Sequence, residues 1–599
     1  MSVEQTSMNQ LITDNIDVWT STVKAKSSSG RGSSKKRELY GVKKLRELIL
    51  ELAVRGKLVP QDSTDEPSSV LLERIAEEKA QLVKEKKIKK PKNLPEISDE
   101  EKSFVLPVGW EWAHLQDLTT YVQRGKGPKY AESGSVQVVS QKCVQNSGFD
   151  LSPARYVTDE SLEKYQEERY LQDNDILWNS TGTGTVGRAN VITNIPEKRI
   201  VADSHVTVIR PTNFYSRFLW CFIMAPGVQA RIQPDHENAL VSGSTKQVEL
   251  NTSSVVSVIV PVAPLKEQHR IVAKVDELMT LCDQLEQQTE ASIEAHQVLV
   301  ATLLDTLTNS ADADELMQNW QMVAEHFDTL FTTEESIDQL KQTILQLAVM
   351  GKLVPQDPND EPAAKLLERI AEEKAQLIKD KKIKKQKALP PIADDEKLFG
   401  LANGWCFVRL DDICTGVTSG STPPKDKFIE NEGVPYLKVY NIRNQKIDFS
   451  YKEQFVDSEH HTTKLTRSIL YPGDVVMNIV GPPLGKIAII PDSYPEWNCN
   501  QAIVVFRPIE SLLNKYIYTY LTAGLFLQSI ELIGTAGQDN ISVTKSRSIV
   551  LPMPPLEEQH RIFARVEELM VVCDELKARL KKSQTTQLNF TDAIVEQAV

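Results

Sequence analysis

The chain has 599 residues, enough for about four structural units, and its 41% hydrophobic and 25% charged content is that of ordinary folded protein rather than a disordered chain. The longest apolar runs, such as 255–262 and 487–490, are far too short to span a bilayer, no secretory signal opens the chain, and seven cysteines without a C-x-x-C pair fit neither a disulfide scaffold nor a zinc ribbon. The net charge of −13 argues against a nucleic-acid binder only weakly, because residues 104–265 net −2 and 398–555 net −1, which leaves −10 in the remainder. A cytoplasmic protein with no membrane contact is expected.

Residues 1–40 read as a short helical start followed by a flexible basic linker, SSSGRGSSKK. Leu45, Leu48, Ile49 and Leu52 then mark one face of a helix, which Gly56 and Pro60 stop. A second helix opens at Asp65-Glu66-Pro67 and is expected to run to Lys90, with Pro91 ending it. Some 24 residues would span about 36 Å, the length of a spacer helix. Residues 104–263 change character: short β-branched runs such as Val136–Val139 and Val206–Ile209 alternate with Gly, Pro, Asn and Ser. A strand-like stretch, 255–262, leads into a heptad helix whose seam is Ile271, Val275, Leu278, Cys282 and Leu285.

The order then repeats. LRELILELAVRGKLVPQDSTDEP at 45–67 returns as LKQTILQLAVMGKLVPQDPNDEP at 340–362, and about two-thirds of positions from Leu45 to Leu115 are identical at an offset of 295. PLKEQHRIVAKVDELMTLCDQL at 264–285 returns as PLEEQHRIFARVEELMVVCDEL at 555–576, with a matching seam of Ile562, Val566, Leu569, Cys573 and Leu576. Like flanks enclose unlike middles. The expected fold is α+β: two mixed α/β domains separated by long antiparallel coiled-coil helix pairs, in a circular pseudo-twofold repeat. The expected segments are 1–40 (arm and linker), 41–103 (helices), 104–263 (first middle domain), 264–397 (central helices), 398–554 (second middle domain) and 555–599 (last helix).

Catalytic motifs are missing. Gly182–Gly187 matches G-x-G-x-x-G, but the segment after it, ANVIT, is β-prone, so a hairpin loop is the better reading than a nucleotide site. Gly481–Lys486 is one residue short of a phosphate-binding loop and lacks the Ser or Thr after Lys. His269 and His560 lack spaced second ligands and His460-His461 are adjacent, so no metal site is expected. The middles do hold donor-rich loops that could enter a DNA groove or meet phosphates. In the first these are Lys126 and Lys129, Ser140-Gln141-Lys142, the loop with Ser180, Thr181, Thr183 and Arg188, and Lys246. In the second they are Ser421, Thr422 and Lys425, then Lys438, Tyr440, Asn441 and Arg443, then Asn478 and Lys486, and Lys545. The bland alternative for each is a solvated surface loop.

The doubled [LV]-P-x-x-P-L-x-E-Q-x-R-I signature, here VPVAPLKEQHRI and LPMPPLEEQHRI, resembles the specificity subunit of type I restriction–modification enzymes. The strands after Asp173-Asn-Asp175 and Gly473-Asp474 and the turns Gly125–Pro128 and Gly420–Pro423 fit the same family, and the GKLVPQD repeats look most like its enterobacterial type IB branch. Asn174 departs from the usual Gly and leaves that turn open. The resemblance implies a non-catalytic subunit whose middles are target-recognition domains, each reading half of a bipartite double-stranded DNA target. It further implies two methyltransferase partners carrying S-adenosylmethionine and two ATP- and Mg-dependent restriction–translocation partners, with no cofactor on this chain. The alternatives are a self-contained methyltransferase or nuclease, and a coiled-coil scaffold with two β-rich ligand-binding modules.

Overall fold

The computed structural model describes residues 8–25, 37–182, 184–244, 247–430, 432–481, 483–530, 532–535 and 538–599. The basic linker and the candidates Thr183 and Lys246 lie outside them. The chain divides into two compact units, one of residues 8–25, 37–291 and 584–599, the other of 292–583.

In the first unit, α1 (Tyr40–Val54) buries Leu45, Leu48, Ile49 and Leu52. It stops where Gly56 turns left-handed at φ +67° and Lys57 N–H donates to the Leu52 carbonyl. A side chain at Gly56 would collide with Pro107 and Trp110, so glycine is needed there for space as well as for turning. Helix α2 (Ser68–Lys84) follows. It has 17 residues, about 25 Å, and ends six residues before the expected stop. Lys86 takes the left-handed conformation at φ +58° and Lys87 N–H caps Leu82. The expectation of a 36 Å spacer helix is therefore corrected. The beginning and end of this unit meet: Thr22 and Thr591 hydroxyls lie 3.1 Å apart, and Tyr40 OH donates to Asp592 at 2.8 Å.

The first middle region is built on strands β1 (Glu111–His114), β2 (Thr119–Arg124), β3 (Ile176–Asn179), β4 (Ala189–Val191), β5 (Val206–Pro211) and β6 (Ile259–Val262). The sheet order is β4-β3-β5-β2, all antiparallel, while β1 pairs with β6. A second small sheet pairs Gln137–Val139 with Ile200–Ala202 in parallel. The stretch 255–262 is not one strand, because Thr252–Val256 is a helical turn and only Ile259–Val262 is extended. Helix α3 (Leu265–Asn309) then starts one residue after Pro264.

The second unit repeats these parts. It holds α4 (Glu334–Val349) and α5 (Ala363–Lys379), and strands β7 (Cys406–Arg409), β8 (Cys414–Ser419), β9 (Val475–Asn478), β10 (Ile487–Ile489), β11 (Ile503–Pro508) and β12 (Val550–Met553). The sheet order β8-β11-β9-β10 matches that of the first unit, and β7 pairs with β12. Again the last strand is shorter than 548–553, since Val543–Ser548 is helical. The final helix, α6 (Leu556–Ala598), has 43 residues against 45 in α3. Each unit takes the N-terminal part of one long helix and the C-terminal part of the other.

The repeated signature is a structural lock, built identically in each unit. Trp110 Nε1 donates to Glu267 at 3.0 Å and Trp405 Nε1 to Glu558 at 2.9 Å. Gln268 and Gln559 donate to the carbonyls of Ala263 and Pro554 just before their helices. Arg270 pairs with Asp65 and Arg561 with Asp360, which ties each long helix to the loop before α2 or α5. Burial pushes the Glu267 and Glu558 carboxyls above the ordinary glutamate value. The seam residues Ile271, Val275, Leu278, Cys282 and Leu285 are all buried. In α6 the seam meets more than one partner: Ile562 and Val566 join the core around Trp405 and Tyr516, while Cys573 packs with Leu569, Leu576 and α4.

Candidate nucleic-acid interface

Each middle region carries its loops on a buried frame that the two copies share. Asn174 adopts φ +71°, the same left-handed turn that Gly473 makes at φ +91°, so the departure from glycine leaves the turn intact. The aspartate after it is buried and enters a bidentate ion pair, Asp175 with Arg210 at 2.7 Å on both arms and Asp474 with the more exposed Arg507 at 2.8 and 2.6 Å. The guanidinium also donates to a backbone carbonyl, of Tyr170 or Ile469, and fixes the start of β3 or β9. Gly125 and Gly420 are required by close approach: a Cβ would lie 2.2 Å from the Ala202 and Asp203 carbonyl oxygens at Gly125, and 2.3 and 2.2 Å from those of Cys499 and Asn500 at Gly420. Gly125 N–H donates to Val206 and Gly420 N–H to Ile503, both at 2.9 Å.

The glycine-rich loop after β3 returns as β4, so G-x-G-x-x-G here is a hairpin connection without the helix a dinucleotide needs. Several side chains expected to face DNA instead hold this frame. Ser180 is fully buried and shares a 2.6 Å hydrogen bond with Thr207. Asn478 is fully buried, donates to the Pro483 carbonyl and accepts from Lys486 N–H. Asn441 is buried too; it accepts from Lys438 N–H and donates to the Tyr451 carbonyl. Arg188 braces its own loop through Gln145 and the Gly184 carbonyl, and Thr181 bonds to His205. Buried donors already satisfied within the protein are not available to base edges, so Ser180, Asn441 and Asn478 are frame positions, whereas Thr181 and Arg188 are only half-buried and stay among the candidates.

The outward-facing candidates in the first copy are Lys126, resting over Tyr165, Lys129, ion-paired with Glu160 at 3.1 Å, and Lys142, which is exposed. Ser140 is half-buried and accepts from Lys142 N–H, and Gln141 packs against Gly182. In the second copy Thr422 and Lys425 are exposed, Ser421 accepts from Arg467, and Lys438 lies 5.1 Å from the Phe428 ring. Lys545 sits in the Val543–Ser548 turn near Glu396, whose carboxyl is held low mainly by Arg409.

One concave site gathers three of the second copy's candidates, Tyr440, Arg443 and Lys486. Strands Ile442–Arg443 and Lys446–Ile447 form a hairpin whose turn, Asn444-Gln445, has both residues at positive φ, the geometry that favours a right-twisted two-residue connection. Beside it is a cleft of about 430 Å³ lined by Tyr440, Arg443, Tyr451 and Lys486 among others. Arg443 stacks 4.2 Å above the Tyr451 ring, and Lys452 lies 5.3 Å from that ring and 5.7 Å from Tyr440. Two phenols and two cations lining a concave polar surface, with Lys452 beside the two rings, suit a phosphate-bearing, base-bearing ligand. The matching hairpin of the first copy, Val144–Gln145 with Gly148–Phe149, carries Gln145 where Arg443 stands and no tyrosine pair. Sequence reasoning misses Tyr451 and Lys452; the one sign it offers there is an aromatic beside a lysine in a loop. Among the described residues no group of three or more His, Cys, Asp or Glu is placed to hold a metal, and no helix is long and apolar enough to cross a membrane.

Residues 107–295 and 402–584 match the family model of the type I restriction modification DNA specificity domain, one match per copy. The chain belongs to the type I restriction–modification specificity-subunit family. The specificity subunits of the type I restriction enzymes EcoAI and EcoEI of Escherichia coli are each 40% identical to it, over 99% of this chain and all of theirs. A solved chain from a type I R-M system is 17% identical over 83% of this chain and 98% of its own, with a TM-score of 0.44. The protein is the DNA specificity subunit of a type I restriction–modification system and a non-catalytic component of it. The scaffold and self-contained-enzyme alternatives are set aside.

Proposed function

We propose that each recognition region reads one half of a bipartite duplex target, with 104–263 and 398–554 as the two recognition domains and 1–40, 41–103, 264–397 and 555–599 as arm and helical segments. The observation that carries this is a common frame with different loops. Turn, ion pair, close-approach glycine and hairpin recur in both copies, while the side chains displayed on them differ: Lys142 and Gln145 in one, Tyr440 and Arg443 in the other. A shared frame with distinct displays suits two different half-sites. The long acidic helices would dock two methyltransferase subunits bearing S-adenosylmethionine, and two ATP- and Mg-using restriction–translocation subunits would complete the assembly. The likeness to the EcoAI and EcoEI subunits over their whole length supports a full-length role of this kind. The test is a map of methylated adenines in cells holding the methyltransferase partner, with and without this gene. A split motif with a fixed gap that disappears on deletion is expected; an unchanged map with the partner expressed would refute the proposal.

A further inference from the structure

The strongest local charge on the chain lies outside the candidate loops. Residues 84–92, KEKKIKKPK, and 379–387, KDKKIKKQK, each place six lysines against a single acid, a net charge of +5 apiece. With a chain total of −13, everything outside these 18 residues nets −23. In both copies the segment begins at the end of α2 or α5, turns at Lys86 or Lys381, and runs on without regular secondary structure towards the recognition region. All twelve lysines are exposed, and only Lys87 forms an ion pair with a described residue, Glu85 at 2.8 Å.

These segments are held rather than trailing. Gln116 donates to the Lys92 carbonyl at 2.7 Å, and His114 Nε2 lies 3.0 Å from the Pro95 carbonyl. In the second unit Arg547 donates to the Lys387 carbonyl at 2.8 Å and Arg409 to the Pro390 carbonyl at 3.0 Å. Ile88 and Ile383 are half-buried anchors amid the lysines. The Arg547 hydrogen bond also puts the second segment beside the Val543–Ser548 turn that carries the candidate Lys545. A backbone tied down at the C-terminal end of each segment thus keeps its exposed ammonium groups at the edge of each recognition region.

We propose that segments 84–92 and 379–387 are phosphate-binding straps that hold the DNA backbone beside each half-site. This rests on the reading of the recognition regions as DNA readers and adds a site outside them. The chemistry selects phosphate without base identity. Lysine is a compact, mobile point charge with no bidentate fork. The segments hold no aromatic ring to stack a base and no amide or guanidinium aimed at a groove, beyond Gln386. Sequence-independent affinity comes from such charges, through counterion release. The straps are nearly the same in both copies whereas the loops differ, as a backbone interaction common to both half-sites requires.

The test uses the full chain in complex with its methyltransferase partner, titrated onto a duplex bearing the mapped target and onto a random duplex between 50 and 200 mM salt. The variant is Lys89→Gln, Lys90→Gln, Lys384→Gln and Lys385→Gln together, with the corresponding Lys→Arg variant as the folded, charge-retaining control. The plot of log affinity against log salt should become shallower by about 0.9 for each phosphate no longer neutralised, about 2 to 4 in all. Affinity should fall equally on both duplexes, the methylated motif should not change, and the arginine variant should keep the parent slope. An unchanged slope, with Arg443→Ala still weakening target binding, would overturn the straps and leave the recognition reading standing. An unchanged slope with loss of the methyltransferase partner would make the segments a protein-docking surface and equally overturn the proposal. If the parent complex does not prefer the target duplex, the underlying recognition reading fails first.

Discussion

Replacing Asp175 by Asn tests the shared frame at its most buried point. The Asp175 side chain is fully buried and Arg210 is 15% exposed; both carboxylate oxygens accept from the guanidinium at 2.7 Å, and one also accepts from Gln172 N–H at 2.8 Å. Asparagine keeps one acceptor but turns an NH₂ towards donors and leaves the arginine charge without a counterion. Removing one partner of a buried pair costs about 3–5 kcal/mol, and near-complete burial places Asp175→Asn at about 4. The Asp474–Arg507 pair differs in one respect: Arg507 is 36% exposed and can recruit water, so Asp474→Asn should cost less, about 2–3 kcal/mol. Hydrogen exchange by mass spectrometry on peptides covering β3 and β9 reads the two sites separately in one sample. Asp175→Leu with Arg210→Met, which removes both charges, should recover most of the lost stability. A cost below about 1 kcal/mol at Asp175, or a larger cost at Asp474 than at Asp175, would refute this reasoning.

Other consequences follow from the lock, the turns and the cleft. Because burial raises the Glu267 and Glu558 carboxyls, the folded state holds their protons more tightly than the unfolded chain does. That contribution is full below the ordinary glutamate value of 4.5 and is lost as pH rises through the raised folded value. Glu267→Gln with Glu558→Gln should therefore gain stability relative to the parent as pH rises above 4.5, then level off; a difference independent of pH in thermal melts would contradict the assignment. Gly420→Ala drives a Cβ against rigid carbonyls and should destabilise the second recognition region by about 3 kcal/mol in denaturant unfolding. Substitution at Gly184, where a Cβ would meet nothing, lacks that clash and is strained only by its φ of +79°. Arg443→Ala removes the exposed cation stacked on Tyr451 and should weaken target binding about 10-fold, or about 1.4 kcal/mol, in an anisotropy titration.

Much of the frame was legible because its causes are local. The 3.6-residue spacing of Leu45, Leu48, Ile49 and Leu52 fixes a buried helical face wherever the helix packs, and the doubled signature announces two equivalent locks. The end of α2 was not legible: lysine is a good helix former, and nothing near Lys86 breaks a helix by its own chemistry. The stop comes with the segment's docking to Gln116 and His114 further along the chain. The turns at Thr252–Val256 and Val543–Ser548 were hidden by β-branched residues, although polar cap residues precede both, and Ser542 Oγ accepts from Lys545 N–H. Ser180, Asn441 and Asn478 misled for another reason. A polar residue beside a glycine turn looks the same in sequence whether it faces solvent or a buried carbonyl, and here the partners are Thr207, Tyr451 and Pro483. Tyr451 lines the cleft, with Lys452 beside its ring, only through the tertiary fold around the hairpin.

The claim that each copy reads its own half-site is tested most directly by altering one copy and mapping methylated adenines across the genome. With Tyr440, Arg443 and Lys486 replaced together by alanine in cells holding the methyltransferase partner, one half of the split motif should loosen or vanish while the other half keeps its bases. Both halves changing together, or neither changing in a folded and assembled variant, would contradict the account.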